Sequence, residues 1–464
     1  MSKKTLIESV SGIRGIVGAG LDASVLVRYA AAFGTWARLR ATARGADATV
    51  VVGRDARVSG PICAQIVIGA LRSVGCHVIN TGLASTPTVA MGVLLSEAAG
   101  GIVLTASHNP EEWNALKLLN EKSEFLSPDE GREVIGMARR GEATPVTINE
   151  LGSCNRHDFL DAHIDRILAL AFCAPPVIAA RNFRIVVDGI NSVGGTALPR
   201  LLERLGVSAE QILVINGEPT GRFAHPAEPL PEHLTQTAAF VAESKADLGL
   251  VVDPDADRLV CIDDHGEVVS EELTQVMAAD FLWRRMPGPF ATNLSSSRAI
   301  DDVAARYGME VHRSAVGEIH VVRKMQETGA ILGGEGNGGV ILPSLHYGRD
   351  ALAGAAMILQ HIAEQQAPLS VLRRELPAYV IVKKKLPVGE MDPDVLLARF
   401  ARRHAGEDLT TVDGVKLNLP RGWVHVRKSN TEPVLRVFAE AAAQDAAHAL
   451  ATRHMAELTA LADS

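Results

Sequence analysis

Aromatic side chains are scarce, at 4% of the 464 residues. A chain so poor in flat rings is not built to stack nucleic-acid bases. Basic residues are not in excess either: the formal net charge is -8. That balance argues against non-specific binding to nucleic acid, although it leaves room for a local basic pocket that takes a small anion. The five cysteines, Cys63, Cys76, Cys154, Cys173 and Cys261, are scattered, odd in number and free of CxxC spacing. They are expected as buried small hydrophobes in a reducing compartment rather than as disulfides or metal ligands. Long apolar runs are missing too. The longest, around residues 168–180, is too short to span a bilayer and contains Pro175-Pro176. The opening MSKKTLIESV holds no apolar run suited to a signal peptide. These absences predict a cytoplasmic protein with no nucleic-acid and no membrane partner.

Hydrophobic residues make up 47% of the chain, a globular proportion, and 464 residues are too many for one core. One unit recurs: an apolar strand, a polar turn, an amphipathic helix, a glycine and another strand. It reads ATVVVGRDARVSGPICAQIVIGALRSVGCHVINTG from residue 48, FRIVVDGINSVGGTALPRLLERLGVSAEQILVING from 183 and, more weakly, FATNLSSSRAIDDVAARYGMEVHRSAVG from 290. Alternating strands and helices predict α/β layers on parallel or mixed sheets. The last ninety or so residues differ. AYVIVKKKLPV reads as an edge strand, GWVHVRKSN and VLRVFAEA as strands, and LLARFARRHAG and AAAQDAAHALATRHMAELTALA as helices. The expectation is three related α/β mixed-sheet domains, 1–155, 156–260 and 261–370, followed by a smaller α+β domain, 371–464.

Four loops at strand ends carry chemistry. In LTASHNP a hydroxyl, Ser107, follows the apolar run Gly101-Ile102-Val103-Leu104. Such a serine caps a helix or closes a turn in most proteins. No GxSxG elbow surrounds it, and His108 points to the opposite face unless the loop turns sharply. In LGLVVDPDADRLVCID a strand delivers Asp253, Asp255 and Asp257 within five residues. Carboxylates about 4 Å apart repel by roughly 4 kcal/mol per pair at an effective dielectric near 20, and a divalent cation removes that cost. Oxygen-only ligands favour Mg²⁺ over zinc. A solvated acidic turn is the bland alternative. An EF-hand is excluded by Arg258 at its sixth position and Asp264 at its twelfth. Arg258 directly after the carboxylates suits a site that also holds phosphate.

The third loop, ILGGEGNGGVIL, matches GxGxxG only formally. A strand-like VILP follows where a dinucleotide fingerprint needs a helix. Its glycines permit close backbone approach to a ligand, and Glu335 and Asn337 suit vicinal sugar hydroxyls; a tight turn with incidental polar residues is the alternative. The fourth loop, VRKSNTEPVLRV, gathers Arg427, Lys428, Ser429, Asn430 and Thr431, with Arg436 following. That composition suits a dianionic phosphate, against the alternative of a solvated basic turn. Together the four loops describe metal-assisted phosphoryl transfer on a sugar phosphate.

TASHNP, DPDADR and SNTEP closely resemble the motifs of the α-D-phosphohexomutase family, the phosphoglucomutase/phosphomannomutase group, and the resemblance spans the whole chain. It implies three related α/β domains and a smaller fourth around a central cleft. It implies a phosphomutase, an isomerase that interconverts hexose 6-phosphate and 1-phosphate through a hexose 1,6-bisphosphate, which also serves as activator. By this resemblance Ser107 is the phosphoserine, and its phosphate ligates Mg²⁺ together with Asp253, Asp255 and Asp257. Glu335 binds sugar hydroxyls, and Arg427, Ser429, Asn430 and Thr431 bind the phosphate that is not transferred. Arg14 and Lys117 match positions near the reacting phosphoryl group, with Lys117 the usual proton carrier and His108 a second candidate. HPAEPLPEHL, SAVGE and GEGNGG resemble the phosphoglucosamine mutase-like branch of archaea and some bacteria. Glucosamine phosphate therefore ranks first, and glucose or mannose phosphate follow. A monomer or homodimer is expected. Two rival readings are a phosphatase with Asp253 as nucleophile and a non-catalytic sugar-phosphate sensor. The first conflicts with Asp257 at the fifth place of DxDx[TV].

Overall fold

A computed structural model describes residues 5–9, 12–388, 391–429 and 434–462. The chain divides into two compact units, 1–274 with 337–372, and 275–336 with 373–464.

In the first unit, a seven-stranded mixed sheet runs in the order Ile7–Ser9, Gly12–Ile16, Trp113–Leu119, Gly100–Leu104, Thr49–Arg54, His77–Leu83, Cys154–Arg156. Its middle strand, Gly100–Leu104, is buried along its whole length. It pairs in parallel with Thr49–Arg54 and antiparallel with Trp113–Leu119, and a strand covered on both faces reads as the continuous apolar run GGIVL. The helix Ala23–Ala43 buries Tyr29, Phe33 and Trp36 against this sheet's core. The side chain of Asp22 caps the helix by accepting the Val25 N–H. A second sheet in the same unit orders Leu259–Ile262, Leu248–Val252, Ile185–Asp188 and Ile212–Ile215. The first pair is antiparallel and the rest are parallel.

In the second unit, Phe290–Asn293 pairs in parallel with both Val311–Ser314 and Leu332–Glu335. A separate antiparallel sheet runs Val380–Pro387, Val434–Ala441, Gly422–Lys428, Val415–Leu419, Leu409–Thr410. The helices Pro393–Arg403 and Gln444–Ala462 bury Leu396, Phe400, Ala447, Ala451 and Leu458 in the core of this sheet. The four expected layers are thus present, and Val380–Pro387 is an edge strand as its alternating pattern predicts.

Each expected domain limit falls inside an element: 155 in Cys154–Arg156, 260 in Leu259–Ile262 and 370 in Leu369–Glu375. The first two are outer strands of their sheets, short enough to read as connecting loop. The cysteines also need one correction. Cys63, Cys76 and Cys261 are buried, but Cys154 is exposed and Cys173 half-buried. Among the described residues no helix is long and apolar enough to cross a membrane.

Candidate active site

Ser107 lies in the turn between the buried strand Gly100–Leu104 and its neighbour Trp113–Leu119. Its φ is 49°, the left-handed region that a β-carbon makes costly. The chain pays that cost because the loop is held from outside. Arg57, fully buried, donates to the backbone carbonyls of Ser107 (2.5 Å), Asn109 (2.7 Å), Pro110 (2.5 Å) and Trp113 (3.0 Å). Its Nε pairs with Asp55 at 3.0 Å, and Thr105 Oγ1 donates to the same Asp55 oxygen at 2.6 Å. The Thr105 hydroxyl in turn accepts the Ser107 N–H. The Ser107 side chain is thereby aimed at the acidic loop, and its Oγ donates to Asp253 Oδ2 at 2.7 Å. The turn is as sharp as the sequence argument requires, so His108 stays in the site: its Nδ1 accepts from Arg258 at 2.8 Å. Arg258, followed by burial, holds the His108 imidazole well below its usual pKa. It is therefore neutral, with Nδ1 already filled.

Asp253, Asp255 and Asp257 are all buried, and one oxygen from each lies within 4.8 Å of the others. The loop that carries them is clamped on several sides. Ser192 Oγ donates to the Pro254 carbonyl at 2.5 Å. Ala256, with φ of 50°, offers its carbonyl to the Ala351 N–H. Asp253 Oδ1 accepts the N–H groups of Asp257 and Arg258. The outer oxygens of the other two carboxylates are taken: Asp255 Oδ2 by Lys117 Nζ (2.6 Å) and Thr86 Oγ1 (2.5 Å), Asp257 Oδ2 by Arg349 (2.7 Å) and Lys117 (3.2 Å). The remaining oxygens, Asp255 Oδ1 and Asp257 Oδ1, are buried and, among the described residues, accept no hydrogen bond. Orphaned carboxylate oxygens are costly in a dry site, and a metal ion is what three converging oxygens of this kind fit.

Burial and the surrounding charges together shift Asp253 and Asp257 in opposite senses. Burial, then Asp257 and Asp255, push the Asp253 carboxyl well above the usual carboxylate range. Burial acts the same way on Asp257, but Arg349, Lys117 and Arg258 outweigh it and hold that carboxyl down. Burial alone would lower the Lys117 pKa; Asp255 and Asp257 overcome it and keep the ammonium charged. Arg14, on Gly12–Ile16, reaches Asn109 Oδ1 at 3.2 Å. Burial and the neighbouring Arg258 lower its pKa.

The structure thus brings Ser107, His108, Arg14, Lys117, Arg258 and the three aspartates together in the first unit. Three residues of this cluster carry no obvious sequence signal. Arg57 follows a strand in GRDARVSG, where RDxR was the only hint; Thr86 starts a helix in ASTPTV; Arg349 precedes a helix-capping aspartate in HYGRDA.

The recognition loops are described within their own units. Glu335 is buried in the second unit, where Asn293 Nδ2 donates to it at 3.0 Å. Asn337 belongs to the first unit, and its Oδ1 accepts the Gly339 N–H, a turn-forming bond. The glycines of this loop require one correction. A β-carbon at Gly338 (φ 88°) would lie 2.6 Å from the Leu259 carbonyl oxygen, and one at Gly339 would lie 2.3 Å from Arg349 Cδ. The close approach they permit is to the protein's own chain. A strand, Gly339–Ile341, follows as expected. In the second unit Arg427 and Arg436 are opposed residues on neighbouring antiparallel strands, so both side chains leave the same face. Arg427 Nε pairs at 3.0 Å with Asp413, which also accepts the Val316 N–H of the SAVGE loop at 3.0 Å. Ser429 is buried. Asn430 and Thr431 lie outside the described residues.

A nucleophile-sized hydroxyl on a strained turn, three convergent carboxylates and surrounding cations on an α/β scaffold define a phosphoryl-transfer enzyme. Family models for the phosphoglucomutase/phosphomannomutase alpha/beta/alpha domains I, II and III match residues 6–144, 161–266 and 270–379, and the model for its C-terminal domain matches 380–457. The chain belongs to this family and is a phosphomutase, an intramolecular phosphotransferase of the isomerase class. It is similar to a "Phosphoglucomutase/phosphomannomutase" of Thermococcus kodakarensis, at 35% identity over 94% of each chain. It is also similar to a "Probable phosphoglucosamine mutase" of Methanopyrus kandleri, at 34% over 95% of each. A crystal structure of a phosphoglucomutase/phosphomannomutase family protein from Burkholderia thailandensis superposes with a TM-score of 0.83 at 27% identity, over 98% of both chains.

Proposed function

We propose that the protein interconverts the 6-phosphate and 1-phosphate of a hexose, glucosamine first, through a phosphorylated Ser107 and a hexose 1,6-bisphosphate. The observation that carries this reading is the Ser107 hydroxyl set 2.7 Å from Asp253 beside two orphaned carboxylate oxygens. Phospho-Ser107 transfers its phosphoryl group to the free hydroxyl of the sugar phosphate. The bisphosphate then reorients and returns its other phosphoryl group to Ser107. In each transfer a proton passes between the sugar hydroxyl and Ser107 Oγ. Lys117 suits that relay better than His108, because Arg258 already occupies His108 Nδ1. Asp253, Asp255 and Asp257 would hold a divalent cation, Mg²⁺ by its oxygen ligands, which when bound would neutralise charge on the transferring group. Arg14 and Arg258 add fixed positive charge, and the loop clamped by Arg57 holds Ser107 without reorganisation. Glu335 and Asn337 take the sugar hydroxyls; Arg427, Ser429, Asn430, Thr431 and Arg436 take the distal phosphate.

The amino sugar is favoured by GEGNGG, SAVGE and HPAEPLPEHL and by the phosphoglucosamine mutase name of one relative; glucose and mannose phosphates are the second reading. Hexose 1,6-bisphosphate as activator, a cytoplasmic location and a monomer or homodimer complete the proposal. One preparation, assayed with Mg²⁺ and bisphosphate against glucosamine 6-phosphate, glucose 1-phosphate and mannose 1-phosphate, tests it. Glucosamine 6-phosphate is expected to give the highest kcat/KM, chelator to abolish turnover, and mass spectrometry to find acid-stable phosphate on Ser107. Turnover undiminished by chelator, or an acid-labile phosphate on Asp253, would overturn the mechanism.

A further inference from the structure

The segment Leu345–Ala351, which supplies Arg349 to the acidic loop, also carries a dense buried cluster. Asp350 is 1% exposed. Its Oδ2 faces His163 Nε2 at 2.9 Å and His346 Nε2 at 3.1 Å, while its Oδ1 caps the helix Ala351–Gln365 by accepting the N–H groups of Leu352 and Ala353. His163 comes from the distant helix Leu160–Leu168, and its Nδ1 is bonded to Thr88 Oγ1 at 3.1 Å. Asp350 is therefore tied to the helix Leu160–Leu168 and, through His163, to Thr88. The Asp350 N–H is fixed as well, on the Val340 carbonyl at 2.8 Å, and Ala351 N–H reaches the carbonyl of Ala256 inside the acidic loop.

The residue this anchor immobilises is Arg349. Its aliphatic stem lies over Gly339, where no β-carbon would fit. Its guanidinium reaches Asp257 Oδ2 at 2.7 Å. Asp257 is thus gripped on Oδ2, while among the described residues its Oδ1 accepts no hydrogen bond and lies 3.9 Å from Arg258 Nε. Thr86 and Lys117 grip the outer oxygen of Asp255 in the same way.

We propose that Arg349 is a positioning residue of the transfer site: it fixes the Asp257 carboxylate so that Oδ1 faces the cation position, and the His163–Asp350–His346 cluster holds Arg349 in place. The inference rests on the reading of the three carboxylates as a divalent-cation site. Two effects of removing the guanidinium oppose each other. Loss of a nearby positive charge favours cation binding, and loss of orientation disfavours it. Partners that orient metal ligands are worth roughly ten- to a hundredfold in affinity, and the rigid two-sided anchoring of Arg349 makes orientation the larger effect.

Mn²⁺ binding, followed by electron paramagnetic resonance on the full chain with Ser107 dephosphorylated, separates these effects without reference to turnover. Arg349→Met is expected to weaken Mn²⁺ binding about ten- to a hundredfold. Arg349→Lys, which keeps the charge but not the planar fork, is expected to recover only part of that loss. His346→Asn should weaken binding by a smaller factor in the same direction, and it serves if Arg349→Met fails to fold by circular dichroism. Unchanged or tighter Mn²⁺ binding in the folded Arg349 variants would overturn the positioning role while leaving the cation site intact. Failure of the unmodified protein to bind Mn²⁺ would overturn both.

Discussion

Around Ser107 the charged groups are already matched before any ligand arrives: Arg57 with Asp55, Lys117 with Asp255 and Asp257, Arg349 with Asp257. On the C-terminal sheet the arrangement differs. Arg427 and Arg436 leave the same face, and among the described residues Arg427 is steered by Asp413 through its Nε. A site that performs transfer gains from groups fixed in advance, since reorganisation during the reaction costs rate. A site that recognises a dianion gains from positive charge left uncompensated until the dianion binds. The contrast predicts that substitutions in the first region abolish the reaction, whereas those in the second weaken it by amounts typical of single contacts.

The largest effect is expected at the first region's hydroxyl. Ser107→Ala should retain its circular-dichroism spectrum and lose nearly all mutase activity, because among the described residues no second hydroxyl bonds to Asp253. Turnover near that of the unmodified protein would show that phosphate is carried elsewhere. Arg427→Ala should cost less. A charge-assisted hydrogen bond contributes about 1.5–3 kcal/mol, so kcat/KM should fall roughly ten- to a hundredfold. The factor should be the same in both reaction directions, since the equilibrium between free sugar phosphates is independent of the enzyme. An Arg427→Ala enzyme that matches the unmodified one would make that face an ordinary solvated surface and erase the contrast.

How much of this was legible in the sequence follows the same division. The structure places the aspartates, Ser107 and Lys117 together. Lys117 is reached only through the family resemblance, whereas the aspartates and Ser107 lie in short motifs whose residue types state their chemistry. The side chains that hold them do not. Arg57 acts through its bonds to four backbone carbonyls, which depend on how a loop fifty residues away folds. Arg349 and Thr86 reach the aspartates from segments 92 and 169 residues distant. The glycines of GEGNGG were readable as close-approach positions, but what approaches, Leu259 and Arg349, is a tertiary fact. Strand and helix periodicity revealed the repeating layers; the short outer strands at 154–156 and 259–262 lacked enough residues to show a period.

The smallest expected effect probes a charged pair at the edge of the first region. His225, in HPAEPLPEHL, lies 3.2 Å from the buried Asp188, and Glu228 of the same loop lies 3.7 Å from Arg258. Burial would lower the His225 pKa, but its hydrogen bond and charge contact with Asp188 raise it above 6.5 on balance. Burial would likewise raise the Asp188 pKa, and the bonds from His225, Thr237 and Asn216 depress it below 3.8 instead. The two shifts set a window. The histidine's contribution to stability is complete below its unfolded pKa near 6.5 and is lost as pH rises through the higher folded value; the aspartate's is lost as pH falls below 3.8. His225→Asn should therefore lower Tm most at about pH 5–6, by an amount no larger than a charged hydrogen bond of roughly 1.5–3 kcal/mol. The gap to the unmodified protein should narrow steadily toward pH 9. Activity at saturating cation should change little, because His225 touches none of the three metal-loop carboxylates through a hydrogen bond. A Tm gap that is flat from pH 5 to 9 would mean that His225 acts by packing alone. A large loss of activity would extend the pre-matched network of the transfer site outward, through Glu228, to this loop.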